Sequence, residues 1–185
     1  MRTFWEKGFA GTSMSDLVVS TGMAKPGLYA NFGDKEDIYK KALEHYYEKM
    51  ASPLIDELLA SNGPLETALR RYFFKLAHSV IDNAHPKGCF IINSGFDCAE
   101  AGPGLKELSR SLNSARREAL KTLLGRAQAR GELSKEANTN ALADFFSAQA
   151  AALASQAQSG ASEKELKAMV EVALSVLQGN HENSA

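Results

Sequence analysis

A glycine-centred turn between two short amphipathic segments constrains the fold of this chain more than any other feature. Ser13 and Asp16 have the spacing of a helix-capping box. Apolar residues with i, i+3, i+4 spacing follow at Met14, Leu17 and Val18. Gly22 suits the left-handed conformation that ends a helix, and Pro26 suits the first turn of the next one. These positions predict two short helices joined by a tight turn, which is the pattern of a helix-turn-helix.

The second of these helices has one apolar and one polar side. Leu28 and Phe32 share its inner face, so we expect both side chains in the core. The outward positions carry small, polar and basic residues at Lys25, Gly27, Tyr29 and Asn31. A short helix that is seated on a partner and presents such side chains fits the major groove of DNA.

The composition is that of an ordinary soluble globular protein, with 44% apolar and 23% charged residues in a chain of 185. The first residues, MRTFWEKGF, carry a charge at Glu6 and lack the apolar stretch of a signal peptide. No apolar run approaches the ~18 residues that span a bilayer. We therefore expect a cytoplasmic protein with no membrane partner.

The charge balance by itself does not indicate a nucleic acid partner. The formal net charge is -1, and residues 1–50 contain seven basic and seven acidic side chains. Basic footprints usually mark nucleic-acid-binding domains. A neutral domain still binds if a few cations lie on one face, and a dimer doubles their number.

Helical periodicity runs through the rest of the chain. The clearest breaks lie at residues 62–64, at residues 102–104 and at Gly131. The strongest apolar stripe consists of Leu105, Leu108, Leu112, Ala115, Ala119 and Leu123. The apolar run in residues 88–102 resembles a buried strand, but no partner strand exists, so a buried helix is favoured. The pattern predicts an all-α fold of about nine helices.

The sequence offers no catalytic or metal-binding constellation. His78 and His85 are too far apart along a helix to share one metal ion, and the other histidines are scattered. Cys89 and Cys98 are nine residues apart, which places them on opposite faces of one helix and argues against a disulfide. We expect no enzyme activity, no metal and no cofactor.

The segment GFAGTSMSDLVVSTGMAKPGLYANFGDKEDIYKKAL resembles the N-terminal domain of the TetR family of bacterial transcriptional regulators. The residues that carry the resemblance are Gly8, Phe9, Thr12, Ser13, Gly22, Gly27, Leu28, Tyr29, Phe32, Lys35 and Glu36. The segment HPKGCFIIN is also similar to a Gly-Cys-apolar stretch in one branch of that family. The remaining C-terminal residues match the family only in helix number and length.

The resemblance implies a homodimer whose two helix-turn-helix units bind a palindromic operator in double-stranded DNA. It implies a DNA-binding domain over residues 1–47 and a helical ligand-binding and dimerisation domain over residues 48–185. Residues 35–52 would bridge the two and carry the signal by their tilt. The implied function is a ligand-responsive regulator, a repressor released by a small molecule or an electrophile. The alternative is an all-α dimeric small-molecule-binding or interaction module that does not bind DNA.

One departure from the family pattern concerns the first helix. Family members carry about ten more residues of this helix, and often a basic arm before it, whereas Met1 lies partway along it here. Either the start of the chain was assigned too late or the chain is truncated. The first helix is therefore expected to be shortened.

Candidate DNA contacts lie in the helix-turn-helix and at helix starts. They are Thr12, Ser13, Lys25, Pro26, Gly27, Tyr29, Asn31 and Lys35. Lysine reads guanine or holds a phosphate, asparagine pairs with adenine, and the Tyr29 hydroxyl can reach a phosphate. Helix starts suit phosphate, although capping alone would explain Thr12 and Ser13.

Candidate ligand contacts are aromatic, or polar on otherwise apolar helices. They are Phe73, Ala77, Cys89, Ile92, Asn93, Phe96, Arg116, Phe145 and Gln149. Cys89 has two interpretations, a small buried hydrophobic residue or a sensor of electrophiles or oxidants beside the pocket. The alanines of residues 148–157 allow close helix approach and suit a four-helix dimer interface formed with the last helix.

Overall fold

The computed structural model describes residues 1–97 and 102–180, with side chains except at residues 96, 97, 179 and 180. Throughout these ranges the regular elements are helical, which confirms the all-α prediction. The helices are α1 (Arg2–Gly11), α2 (Met14–Thr21), α3 (Lys25–Phe32), α4 (Lys35–Tyr46), α5 (Ser52–Ala60), α6 (Leu65–Ser79), α7 (Phe90–Asp97), α8 (Pro103–Ala129), α9 (Thr139–Gln158) and α10 (Glu163–Leu174). A 3-10 segment, Ser175–Asn180, follows α10.

A π-helical segment joins α4 to α5. It spans Tyr47–Ala51, so the helical run that begins after Asp34 continues to Ala60. Pro53 lies in the first turn of α5, where proline is best tolerated in a helix. Counting α4 and α5 as one run, the described part of the chain contains nine helical runs, in agreement with the predicted number.

The sequence predicts that the first helix ends at Gly8, and the structure shows an interruption at that residue. Gly8 has φ 71° and ψ 178°, a conformation open to glycine and outside helical geometry. A further turn then continues to Gly11. Gly8 is therefore a kink inside α1, whereas the sequence pattern indicated the end of the helix.

The ambiguous segment after Gly88 forms a buried helix, as predicted. Phe90, Ile91 and Ser94 of α7 are all buried. Cys89 immediately precedes α7 and is not part of the helix. The prediction that both cysteines lie on one helix is therefore wrong for Cys89. Cys98 lies outside the described residues.

By internal contacts the chain forms two compact units. The first contains Met1–Ala51 and the described part of Cys89–Asn113. Its centre is aromatic: the Phe4 and Tyr39 rings lie 4.8 Å apart, as do the Trp5 and Tyr46 rings. The Phe90 ring of α7 lies 5.3 Å from Tyr39, so α7 shares a core with α1 and α4.

The second unit contains Ser52–Gly88 and the described part of Ser114–Ala185. Within it, α6 packs against α5, α9 and α10. Its fully buried side chains include Leu69, Phe73, Leu120, Leu123, Phe146 and Leu166. The grouping of residues 89–113 with the N-terminal helices is a tertiary feature, and the functional boundary after residue 47 stays a prediction.

Candidate nucleic-acid interface and ligand-binding residues

Local side-chain bonds define α2 as the sequence predicted. The Ser13 hydroxyl accepts the Asp16 backbone N–H, and the Asp16 carboxylate accepts the Ser13 backbone N–H in return. Gly22 has φ 70° and ψ 3°, and its N–H donates to the Val18 carbonyl. The capping box and the left-handed turn are both confirmed, and they set where α3 begins.

The helix α3 rests on one buried side chain and presents the rest to solvent. Leu28 is buried, whereas Lys25, Pro26 and Asn31 are exposed and Tyr29 is 45% exposed. Gly27 is half-buried, close to the Met23 methyl. Lys25 makes no ion pair among the residues that the structure describes. Five of the eight predicted DNA-contact residues therefore lie together on one short helix.

The prediction that Phe32 belongs to the core is wrong. Its side chain is 37% exposed at the last position of α3. The Lys41 ammonium lies 5.6 Å from the centre of its ring and donates a 3.2 Å hydrogen bond to its carbonyl oxygen. The ring is covered by a cation on its outer side, which a pattern of apolar residues does not reveal.

The helix-start candidates differ in their surroundings. Thr12 is only 1% exposed, and its hydroxyl donates to the Gly8 carbonyl at 2.7 Å. This bond accounts for Thr12 without any contact to DNA. Ser13 is exposed and already serves as the N-cap of α2. The Lys35 ammonium lies 4.5 Å above the Phe9 ring, a cation–π contact that leaves it half-buried.

An ion pair that the sequence pattern missed joins α1 to α2. The Lys7 ammonium donates to the Asp16 carboxylate at 2.6 Å. This bond, together with those from Ser13, lowers the pKa of Asp16 well below its ordinary value. A shallow cleft of about 300 Å³ lies beside the pair, between the two helices. The nine-residue separation of Lys7 and Asp16 fits no helical spacing rule, so no local signal marks this contact.

Five of the predicted ligand residues lie in the second unit: Phe73, Ala77, Arg116, Phe145 and Gln149. Phe73 and Gln149 line a common apolar depression whose other walls come from α9 and α10, but it has no room for a water molecule. Ala77 is fully buried and Phe145 half-buried. Arg116 is buried, and its Nε donates to the Tyr72 hydroxyl at 2.8 Å. The sequence pattern did not single out Tyr72.

The other predicted ligand residues belong to the first unit. Cys89 is buried, and the Tyr46 hydroxyl donates to its sulfur at 3.5 Å. Ile92 and Asn93 are half-buried on α7, and the Phe96 side chain lies outside the described residues. The nine candidates are therefore divided between two compact units, and their membership in one ligand site stays a prediction.

Neither a metal centre nor a membrane span is found in the part of the chain that the structure describes. Within residues 1–97 and 102–180, no three His, Cys, Asp or Glu side chains are grouped to hold an ion. None of the described helices is long and apolar enough to cross a bilayer.

Two stretches of the sequence match known protein families. Residues 1–42 match the bacterial regulatory proteins of the tetR family. Residues 67–173 match the tetracyclin repressor-like C-terminal domain. The two matches together take in the helix-turn-helix and most of the helices after it.

Relatives and solved structures extend the similarity along nearly the whole chain. The HTH-type transcriptional repressor ComR of Escherichia coli (strain K12) is 31% identical over 169 residues, 90% of this chain and 79% of ComR. The uncharacterized HTH-type transcriptional regulator YezE of Bacillus subtilis (strain 168) is 30% identical over 178 residues, 96% of this chain and 91% of YezE. A cysteine mutant of the TetR family transcriptional regulator CifR, solved with a 26-bp operator DNA, has the same fold, with a TM-score of 0.82 and 23% identity over 94% of this chain and 90% of that one.

Proposed function

Since the chain belongs to the TetR family of bacterial regulatory proteins, we propose that it is a repressor that binds a palindromic operator as a homodimer and is released by a small-molecule signal. Family membership makes it a ligand-responsive, DNA-binding transcriptional regulator. Its relative ComR is a repressor, and the CifR structure contains operator DNA. The protein would act in the cytoplasm, where its operator lies.

The observation that carries this proposal is the exposed face of α3. A helix of eight residues with one buried side chain has little role in a core. Its basic and polar residues face solvent, and a capped helix fixes the chain on each side of it. In the proposed complex α3 enters the major groove, with Lys25 and Asn31 toward base edges and Tyr29 toward a phosphate.

The remaining candidates supply the approach to the DNA backbone. Ser13 and Lys35 lie at the starts of α2 and α4, where phosphates are attracted by free N–H groups and positive charge. Pro26 and Gly27 lack bulky side chains in the first turn of α3, so the backbone there can come close to the groove. Thr12 acts through its bond to Gly8, as a residue that holds the end of α1.

The effector is proposed to bind within residues 48–185, among apolar side chains and a few polar groups. Arg116 and Gln149 are the polar candidates in the second unit, with Phe73 and Phe145 as apolar partners. The depression beside Phe73 and Gln149 has no room for a water molecule, so helix movement is needed to admit a ligand. An effector that prefers a conformation unsuited to the operator shifts the population away from DNA.

Binding to DNA near the gene tests the proposed function. The purified protein is mixed with a duplex from the region upstream of its own gene, and protection from DNase I is mapped. We expect one protected palindrome and a shifted complex that contains two chains. Absence of protection on all upstream and flanking fragments, with the protein folded, would contradict repression of neighbouring genes.

An electrophile as the signal has its own test at Cys89. The thiol is 2% exposed, so alkylation by N-ethylmaleimide should be slow and should weaken operator binding once complete. A Cys89→Ser variant should keep its operator affinity after the same treatment, whereas a Cys98→Ser variant should lose it as the wild type does. Equal behaviour of the two variants would leave Cys89 as a core residue.

A further inference from the structure

The residues of the recognition helix α3 stabilise it less than the residues of α2 and α4 stabilise those helices. Its N-cap is Ala24, which offers no side-chain hydrogen bond, whereas α2 and α4 each begin with a capping box. Gly27 in its interior costs about 1 kcal/mol relative to alanine. Leu28 is its one buried side chain. Contacts from outside α3 must therefore fix the position of its C-terminal end.

Lys41 of α4 supplies such a contact. Its ammonium donates to the carbonyl oxygen of Phe32 at 3.2 Å. This oxygen belongs to the last turn of α3, whose carbonyls have no partner within the helix. Among the described residues, Lys41 is the one residue outside α3 whose side chain makes a hydrogen bond to that helix. A cation is also favoured at this end by the helix dipole.

The same ammonium lies 5.6 Å from the centre of the exposed Phe32 ring. Two contacts to one residue define the direction of the end of α3 better than one does. The helix that carries Lys41 is itself firmly placed, since Asp34 and Asp37 form its capping box and Tyr39 and Leu43 are buried. The lysine thus connects a fixed helix to a weakly held one.

We propose that Lys41 is a positioning residue for operator recognition, which holds the C-terminal end of α3 so that its exposed face fits the major groove. This inference rests on the proposed function, in which α3 reads the operator. Lys41 acts through Phe32 and contributes no phosphate contact of its own. Both lysines are exposed, but the Lys41 ammonium is bound to the Phe32 carbonyl, whereas Lys25 makes no ion pair among the described residues and is the one expected to meet DNA.

The first test does not need DNA. Hydrogen exchange is measured on the free protein for the wild type, for Lys41→Met and for the matched control Lys40→Met. Lys40 is the adjacent residue, and its ammonium pairs with Glu36 at 3.0 Å instead of with α3. The substitution Lys40→Met therefore removes the same charge without removing a contact to α3. We expect faster exchange of the α3 amides in Lys41→Met alone. Equal exchange in all three proteins would overturn the inference even if the protein binds its operator.

The second test measures affinity for the operator and for a scrambled duplex over a range of salt concentrations. Loss of one hydrogen bond in each copy predicts operator binding by Lys41→Met that is about fivefold weaker per copy, or about 25-fold for the dimer, with little change on the scrambled duplex. The slope of log K against log salt should stay as in the wild type, because no phosphate contact is lost. Lys41→Arg, which can still donate to the carbonyl, should restore most of the affinity.

A slope reduced by about 1.8 in Lys41→Met, about 0.9 for each of the two copies in the dimer, would instead identify a direct phosphate contact and contradict the positioning role. Equal loss on both duplexes, or loss of the same size in Lys40→Met, would also contradict it. Failure of the wild type to bind any operator would reject the proposed function, while the exchange result would still decide whether Lys41 holds α3.

Discussion

At the scale of single residues, the side chains of α3 differ in how readily they can meet DNA. The Asn31 amide nitrogen already donates to the Gly27 carbonyl at 2.8 Å. This bond holds the amide against its own helix, so Asn31 has to turn outward before one N–H and its oxygen can pair with adenine. Lys25 and Tyr29 are exposed and need no such change. We expect them to contribute more to operator affinity than Asn31.

Removal of the Tyr29 side chain tests its part in operator binding. Tyr29→Ala should weaken operator binding about fivefold to tenfold, the effect of losing one hydrogen bond with its packing. The melting temperature should change little because the ring is 45% exposed. Val19→Ala is the matched control, since Val19 is 85% exposed on α2. Equal affinities of the two variants, measured by gel shift, would remove Tyr29 from the interface.

Asp16 gives the protein a defined response to acid. Hydrogen bonds from Lys7 and then from Ser13 lower the pKa of Asp16 from its ordinary value of 3.8. A carboxyl with a lowered pKa stabilises the folded state above its ordinary pKa, and this contribution is lost as the pH falls toward the lower, folded-state value.

The variant Asp16→Asn should therefore melt below the wild type near neutral pH. The difference in melting temperature between the two proteins should be constant near neutral pH and should shrink once the pH falls below about 4. Below that pH the Asp16 carboxylate of the wild type takes up a proton on unfolding, so its charge no longer adds full stability to the folded state. Glu44→Gln serves as the control, since Glu44 is exposed and makes no ion pair among the described residues. A pH-independent difference for Asp16→Asn would mean that its charge has no part in stability.

At the scale of helices, a buried polar cluster joins α7 to α8 inside the first unit. The hydroxyls of Ser94 and Ser109 are 2.8 Å apart, and both residues are buried. The Asn113 amide donates to the carbonyls of Ile91 and Ser109, each at 2.9 Å. A buried hydroxyl that loses its hydrogen-bond partner destabilises the folded state. These hydrogen bonds therefore favour one position of α7 against α8.

A double-mutant cycle on the two serines measures that contribution. Ser94→Ala and Ser109→Ala should each destabilise the protein by about 1 kcal/mol, with the double variant less unstable than the sum. The measurement is urea unfolding followed by circular dichroism. Strictly additive changes would show that the two hydroxyls do not interact across the helices.

At the scale of the whole molecule, the exposed apolar residues of the last helices bear on assembly. Val172 on α10 is 74% exposed, and Val176 is 37% exposed four residues later in the 3-10 segment. Both valines belong to the C-terminal helical run of the chain. A palindromic operator requires two copies of the chain, and these valines offer an apolar surface for the proposed dimer.

A charge placed on this surface should separate the dimer. Val172→Glu should sediment as a single chain, because burying an unpaired carboxylate in an apolar contact is strongly unfavourable. Val19→Glu makes the same change at an exposed valine of α2 and should remain dimeric. Dimers of unchanged strength in Val172→Glu would place the interface elsewhere.

The sequence by itself determined the helical class, the buried character of α7 and the boundaries of the helix-turn-helix. Ser13 and Gly22 give these boundaries because their effects are local: a side chain binds a backbone group three residues away, or a glycine adopts a left-handed conformation. The same local rules placed most of the candidate DNA contacts on one exposed helix.

Tertiary structure alone decided the points that depend on distant residues. Phe32 occupies an apolar position of its helix, yet it is partly exposed, and its contact is with the Lys41 ammonium of α4. The described part of residues 89–113 groups with the N-terminal helices, where Phe90 fits among the rings of Trp5, Tyr39 and Tyr46. The physical reason is that packing partners are chosen by shape and contact across the fold, and periodicity along the chain records only which face of a helix is apolar.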